Sequence, residues 1–214
     1  MKRKFLSVVM AVVVAVVCLT GCSGNLTKAS FINAAKKYGM KEIEENMKLG
    51  EIMRDQNESN SVYYVEKDHD RMQLFFRDFA PDAEVKECVK AVEIIGKNDN
   101  KLPCSTYVYY LTAEDSKNAK ETYKGLTKGI SDPGNGRSDR EEGEKDGVTY
   151  TIVYMGSDNF EDTDEQFTGE IVYGIYLMDD KIIWIYSFFD STLDNNCVEG
   201  FCKSFGLVSP YTLR

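Results

Sequence analysis

The spacing of apolar residues along the chain predicts several helices. An apolar stripe at helical spacing covers residues 27–38, where Thr27 is suited to cap the N-terminus and Gly39 to end the helix. A weaker helical period continues from Met40 to Met53, although Gly50 interrupts it. The same spacing predicts further helices over 81–95, 114–126 and 193–205.

Other segments are rich in aromatic and β-branched residues and predict strands. Two of them flank a polar turn at 68–70 and are expected to form a hairpin, and two more flank a tight turn at Asp179-Asp180. The stretch 129–147 is charged and glycine-rich without either period, so it is predicted to be a loop. The expected strands are 61–66, 71–77, 106–111, 148–155, 169–178 and 181–189.

The last of these strands is apolar on both faces. One face is expected to carry Ile182, Trp184, Tyr186 and Phe188, and the other Ile183, Ile185 and Phe189. Such a sheet must be covered on both sides, or keep one face for a ligand or partner. We therefore predict an α+β fold, a mainly antiparallel sheet built from hairpins and packed with four to five helices, in a single domain over 27–214.

The N-terminus has the layout of a secretory signal. Three cations at 2–4 precede an apolar run, Phe5–Val17, which is short for a membrane-spanning helix of about 20 residues. The next residues, Leu19-Thr20-Gly21-Cys22, resemble the lipobox of bacterial lipoproteins. The resemblance implies cleavage between Gly21 and Cys22, a diacylglycerol on the Cys22 thiol, and anchorage on the extracytoplasmic face of the cell membrane. Residues 1–21 would be the signal and 22–26 the lipidated cysteine with its tether.

Charge narrows the classes of partner. Residues 1–21 contain three cations and no acids, so their removal takes the net charge from −9 to −12 and leaves 193 of the 214 residues. An acidic chain without a basic cluster repels phosphate backbones, and nucleic-acid binding is disfavoured. Attachment to the membrane is therefore expected to come from lipid rather than from charge.

A second, looser resemblance concerns the folded region. The region resembles small lipoproteins of low-GC Gram-positive bacteria in three features. These are a strand followed by a helix in the run YVYYLTAEDSKNAKETYKGL, a late hairpin, and the terminal segment FCKSFGL. Most of these proteins lack an assigned activity, so the resemblance implies a compartment and a fold but no chemistry.

Four cysteines remain once Cys18 and Cys22 are set aside, and an extracytoplasmic setting permits disulfides. Two alternatives stay open for them, namely disulfides and buried thiols. Cys197 and Cys202 are about 140° apart around a helix of 3.6 residues per turn, and are not expected to bridge. Zinc is disfavoured because the chain has no C-x-x-C motif and one histidine. The four residues are Cys88, Cys104, Cys197 and Cys202.

The remaining chemistry disfavours an enzyme without excluding one. His69 is interpreted as a solvated turn residue, and no nucleophile elbow or phosphate-binding loop is present. An acidic loop invites calcium but lacks the glycine that an EF-hand requires, so a solvated loop is the other interpretation. The loop contains Asp158, Glu161, Asp162, Asp164 and Glu165.

Tyrosines on the predicted strands suggest either an aromatic platform for sugars or peptides, or the ordinary alternation of a half-buried sheet. They include Tyr107, Tyr109, Tyr110, Tyr173 and Tyr176.

The favoured hypothesis is a membrane-anchored lipoprotein without a cofactor that binds a ligand or protein partner. The alternatives are an envelope hydrolase acting through paired carboxylates, and a structural subunit of an envelope complex.

Overall fold

The computed structural model describes residues 26–44, 46–54, 59–77, 84–97, 103–130, 138–156, 169–190 and 197–214. The helices are α1 (Lys28–Lys37), α2 (Asn46–Arg54), α3 (His69–Phe76), α4 (Ser116–Gly129) and α5 (Cys197–Phe205), followed by a 3₁₀ turn at Pro210–Leu213. The strands are β1 (Lys41–Glu42), β2 (Asn60–Glu66), β3 (Val85–Lys97), β4 (Pro103–Ala113), β5 (Asp139–Lys145), β6 (Val148–Met155), β7 (Gly169–Met178) and β8 (Lys181–Asp190).

All eight strands form a single sheet in the order β1-β2-β3-β4-β8-β7-β6-β5. The short β1 pairs with β2 in parallel, and every other neighbouring pair is antiparallel. The sheet thus consists of two meanders, β2 to β4 and β5 to β8, which meet where β4 pairs with β8. The expected α+β class is confirmed, but the sheet is mixed and larger than separate hairpins would produce.

Helices cover both faces of this sheet. On the first face, α1 and α5 pack over a core in which the Phe31 ring lies 5.7 Å from Tyr110 and 5.1 Å from Phe201. On the second face, α2, α3 and α4 cover different regions. The expected division of β8 is confirmed, because Ile183 and Ile185 belong to the core of the first face while Ile182 and Trp184 belong to that of the second.

Two helices lie within three residues of the bounds that the sequence predicts, at Lys28–Lys37 and Ser116–Gly129. The Thr27 side chain accepts a hydrogen bond from the Ser30 backbone N–H at 3.1 Å, and the Ser30 hydroxyl accepts one from the Thr27 N–H at 2.8 Å. Gly39, at a φ of +76°, follows α1 in the left-handed region. At the start of α4 the Asp115 carboxylate accepts the Asn118 N–H at 2.8 Å. The expected helices over 27–38 and 114–126 are therefore confirmed.

The helix expected over 81–95 is wrong, because residues 85–97 form β3. This strand lies between β2 and β4 and is covered on both faces, so it is apolar on both faces. Val89 and Ala91 point to the first face, while Cys88 and Val92 point to the second. The three- and four-residue spacing of the apolar positions is a by-product of this double burial.

The strand expected over 71–77 is also wrong. Asp68 does not form a hairpin turn but accepts the N–H groups of Asp70 and Arg71, which caps α3. Met72 and Phe76, four residues apart, are both buried against the second face.

Part of the expected loop at 129–147 is a strand. β5 pairs with β6 along its whole length, although its side chains are charged and mostly exposed. Charged side chains are typical of a sheet edge, where they discourage pairing with another chain. The expected strands 61–66, 106–111, 148–155, 169–178 and 181–189 are confirmed, and the expected last helix begins at Cys197 within the described residues.

None of the helices that the structure describes is long and apolar enough to cross a membrane.

Candidate functional site

Several predicted site residues lie outside the described residues. They are the lipidation site Cys22, the cleavage site Gly21-Cys22 and the acidic loop at 158–165.

The four remaining cysteines are described, and all four are buried and outside any disulfide. Cys88 and Cys104 lie in central strands, while Cys197 and Cys202 lie in α5. Burial raises the pKa of the Cys88 and Cys202 thiols to about 12, and it also raises the pKa of Cys197. A buried thiol with a raised pKa is a poor nucleophile and a poor metal ligand.

His69 is the exposed first residue of α3 rather than a member of a turn. Its Nε2 lies 3.4 Å from the Gln73 amide nitrogen. Among the described residues, no three His, Cys, Asp or Glu side chains come close enough together to hold a metal ion.

The suspected tyrosines divide between the two faces. Tyr110 and Tyr176 are buried in the core of the first face, where the Tyr176 hydroxyl donates to the Val208 carbonyl oxygen at 2.6 Å. Tyr107, Tyr109 and Tyr173 lie on the second face. The tyrosine set predicted from the sequence is therefore not one surface.

Three tyrosines on the second face form a continuous row, which we call the aromatic row: Tyr107 on β4, Tyr186 on β8 and Tyr173 on β7. The register pairs Tyr107 directly with Tyr186, and Tyr186 with Tyr173. Ring centroids are 5.8 Å apart at 11° for the first pair and 5.0 Å apart at 28° for the second. Each of the three residues is partly exposed.

The ring geometry determines which atoms a ligand can reach. Nearly parallel rings lying side by side in one plane would clash at these separations, so the rings overlap partly face to face. The inner ring faces contact one another, and they are not open for stacking on a ligand. Between its rings, the aromatic row therefore offers a binding partner ring edges and phenol hydroxyls rather than open ring faces.

The three hydroxyls of the aromatic row have no hydrogen-bond partner in the part of the chain that the structure describes. Burial raises the pKa of Tyr173 to about 12, and the neighbouring Tyr186 adds to this. Burial likewise raises the pKa of Tyr186. The hydroxyls of Tyr173 and Tyr186 are therefore neutral at physiological pH, able both to donate and to accept. Other tyrosine hydroxyls are bonded within the protein, namely those of Tyr63, Tyr64, Tyr110, Tyr123, Tyr150, Tyr154 and Tyr176.

The surroundings of the aromatic row are mostly apolar. Val92 on β3 is paired with Tyr107, and Val153 on β6 is paired with Tyr173; both valines are buried. One step along the strands, the Tyr109 and Trp184 rings stack at 4.9 Å. The aromatic surface therefore extends over two adjacent levels of the sheet.

A buried ion pair lies on the neighbouring strands β2 and β3. Lys90, whose register partners are Tyr64 and Tyr109, brings its Nζ to 3.8 Å from Glu66 Oε2. The Glu66 side chain is fully buried, and its other oxygen accepts bonds from the Tyr64 hydroxyl and the Asp68 N–H. Removing either charge would leave the other buried without compensation.

Sequence reasoning did not place Tyr186 and Trp184 in this site, although it assigned both to one face of their strand. The missing information was the register between β4 and β8, because these strands are not joined by a hairpin.

No protein-family model matches the chain, and no curated protein or solved structure matches it either.

Proposed function

We propose that the protein is a lipid-anchored extracytoplasmic binding module that holds a protein partner against the aromatic row. One observation carries the proposal: three stacked tyrosines are partly exposed and keep hydroxyls that no described residue bonds. Tyrosines of this kind combine a large apolar contact with a polar tip, and they are enriched among the residues that dominate protein–protein binding.

The ring geometry favours a protein partner over a sugar ligand. Stacking on a sugar needs open ring faces, whereas the inner ring faces of the aromatic row contact one another and leave edges and hydroxyls between them. Edges can receive apolar side chains, and neutral hydroxyls can bond the backbone N–H and C=O groups of a polypeptide.

The hydrolase alternative has less support from the described residues. An open hollow of about 280 Å³ on α3 is lined by Asp70, Gln73, Leu74 and Arg77. Asp70 is the one carboxylate among the described residues of this lining, and a glycosidase mechanism needs two that face each other.

The proposed anchor is tested at Cys22. Cys22→Ala is expected to abolish metabolic labelling with a fatty acid and to leave the protein unprocessed or released from the membrane. Labelling that persists in the variant would place the lipid elsewhere and contradict this part of the proposal.

The proposed site is tested by capture of partners from detergent-solubilised membranes. The triple variant Tyr107→Phe, Tyr173→Phe, Tyr186→Phe keeps all three rings and removes only the hydroxyls. A hydrogen bond contributes about 0.5–1.5 kcal/mol, so the loss of three is expected to weaken binding at least tenfold. The matched control is Tyr154→Phe, whose hydroxyl faces the other side of the sheet and donates to Glu170 at 3.0 Å.

The result that supports the proposal is one protein recovered in stoichiometric amount with the wild type and the control, but not with the triple variant. Equal recovery by all three proteins would show that the partner binds elsewhere than the hydroxyls of the aromatic row. Turnover of cell-wall glycans by the purified protein, without such a partner, would favour the hydrolase.

A further inference from the structure

One end of the sheet lies close to the start of the folded region. At this end, which we call the anchored end, Val85 pairs with Ala113 and Met178 pairs with Lys181. Lys28, the first residue of α1, contacts β3 at this end, because its Nζ lies 3.2 Å from Glu87 Oε1.

The chain before α1 leaves little freedom between this end and Cys22. Leu26 is 5% exposed and belongs to the core of the first face, so the chain is held against the sheet at this residue. Four Cα-to-Cα steps separate Cys22 from Leu26, and at about 3.3–3.6 Å per residue they span at most about 14 Å.

The opposite end of the sheet lies much farther from Leu26. At this distal end Asn60 pairs with Ile94, and Gly169 pairs with Asp190. From Glu84 to Ile94 the chain advances ten residues along β3, which corresponds to about 33 Å at 3.3 Å per residue.

We infer that the domain stands on the lipid surface by its anchored end, with the distal end directed away from the membrane. The inference rests on the proposed lipidation of Cys22. A tether of at most about 14 Å keeps the anchored end within reach of the headgroups, and the longer dimension of β3 carries the distal end outward.

Charge at the anchored end does not replace the tether. Three of its cations are paired within the protein: Lys28 with Glu87, Lys86 with Glu114 at 2.8 Å, and Lys181 with Asp180, while the exposed Lys145 lies between Glu144 and Asp146 in the sequence. Electrostatic attraction to anionic headgroups therefore contributes little binding free energy at this end. The covalent anchor, rather than electrostatic adsorption, therefore determines the orientation.

The test uses natively lipidated protein in phosphatidylcholine vesicles that contain a headgroup-linked energy-transfer acceptor. Two exposed residues that directly precede neighbouring strands serve as dye positions, Glu84→Cys before β3 at the anchored end and Ser59→Cys before β2 at the distal end. The four native thiols that the structure describes are buried, so brief labelling modifies the introduced cysteine. Energy transfer to the acceptor is expected to be severalfold greater from position 84 than from position 59.

A control variant carries about 20 Gly and Ser residues inserted between Cys22 and Leu26. Such a linker has an end-to-end distance of about 25 Å, so the difference between the two dye positions is expected to become much smaller. Equal transfer from both positions with the native tether would overturn the inference, and so would a difference that the insertion leaves undiminished. Failure of the lipid anchor is recognised separately, because the protein would then show no lipid labelling and no vesicle binding.

Discussion

Glu93 illustrates how one side chain joins distant parts of the fold. It projects from β3, and its Oε2 accepts the backbone N–H of Cys197 at 2.8 Å, at the first residue of α5. A side chain on a strand thus accepts a hydrogen bond from an N–H group in the first turn of a helix, where the helix itself supplies no acceptor. Burial raises the pKa of Glu93 above its ordinary value of 4.5, although the bonds from Cys197 oppose this.

The raised pKa predicts a pH dependence that Glu93→Gln removes. A carboxyl group with a raised pKa in the folded state binds its proton more tightly there, so its contribution to stability is greatest at low pH. That contribution is lost as the pH rises through the raised pKa. The Gln variant keeps an oxygen for the Cys197 N–H and is expected to gain stability relative to wild type between pH 4 and pH 7. Urea unfolding at the two pH values measures the free energies.

Glu93→Ala serves as the comparison, since it removes the acceptor as well. We expect a loss of about 1–2 kcal/mol at both pH values. If wild type and the Gln variant change in parallel with pH, the carboxyl group does not titrate as described.

Removing the hydroxyl of two different tyrosines is expected to change the free energy of unfolding by different amounts. The Tyr176 hydroxyl is buried and donates to Val208, so Tyr176→Phe leaves an unpaired carbonyl and should cost about 1–3 kcal/mol of unfolding free energy. Tyr186→Phe loses no hydrogen bond to a described residue and should change stability by less than about 0.5 kcal/mol. Thermal unfolding of the two variants gives the comparison, and a large loss at position 186 would assign its hydroxyl a structural partner.

At the scale of elements, a glycine sets the distance between α1 and α5. A Cβ at Gly200 would lie 2.1 Å from the Tyr38 ring, which packs against Phe201 of α5. The close approach of these helices therefore requires the absence of a side chain at this position.

Gly200→Ala is expected to destabilise the protein by about 1–3 kcal/mol, because the clash outweighs the gain of about 1 kcal/mol in helix propensity. Gly50→Ala in α2 is the matched control, since its Cβ would meet only Arg54 Nη2 at 3.6 Å. The control should be stabilised by up to about 1 kcal/mol, measured by denaturant unfolding. Equal effects at the two positions would contradict the packing described for α1 and α5.

Elements were predictable from the sequence where local chemistry and burial agree. α1 and α4 carry their own caps at Thr27 and Asp115, and β6, β7 and β8 have strong strand composition. The wrong predictions arise where tertiary context overrides the local pattern.

β3 is apolar on both faces because of its position in the sheet, and this reproduces helical spacing. Its content of valine and isoleucine was the contrary signal. In α3 the aromatic residues favoured a strand, whereas the Asp68 cap selected a helix. β5 was not predicted because its residues are charged, which is typical of an edge strand but not of the apolar patterns that indicate a strand.

The candidate site was predictable only in part. Tyr107 and Tyr173 were among the suspected residues, but nothing local indicates that Tyr186 lies between them. That arrangement depends on the pairing of β8 with both β4 and β7.

At the scale of the whole molecule, the four described cysteines are expected to share the same reactivity toward a thiol reagent. Because the thiols are buried, they should all be inaccessible to a thiol reagent in the native protein. After denaturation without reductant, all four should react within the mixing time. A slow native reaction at the rate of global unfolding would agree with this, whereas fewer than four thiols in the denatured protein would reveal a disulfide.

The seam between the two meanders also has a consequence for folding kinetics. Its contacts join residues far apart in sequence, as in the 2.7 Å bond between the Thr106 and Ser187 hydroxyls, which are 81 residues apart. Closing so long a loop is slow compared with forming either meander alone. Tyr107 and Tyr186 lie on opposite sides of this seam, so the aromatic row cannot assemble until both halves have docked. A partner that binds the row would therefore distinguish completed molecules from half-folded ones without any further checkpoint.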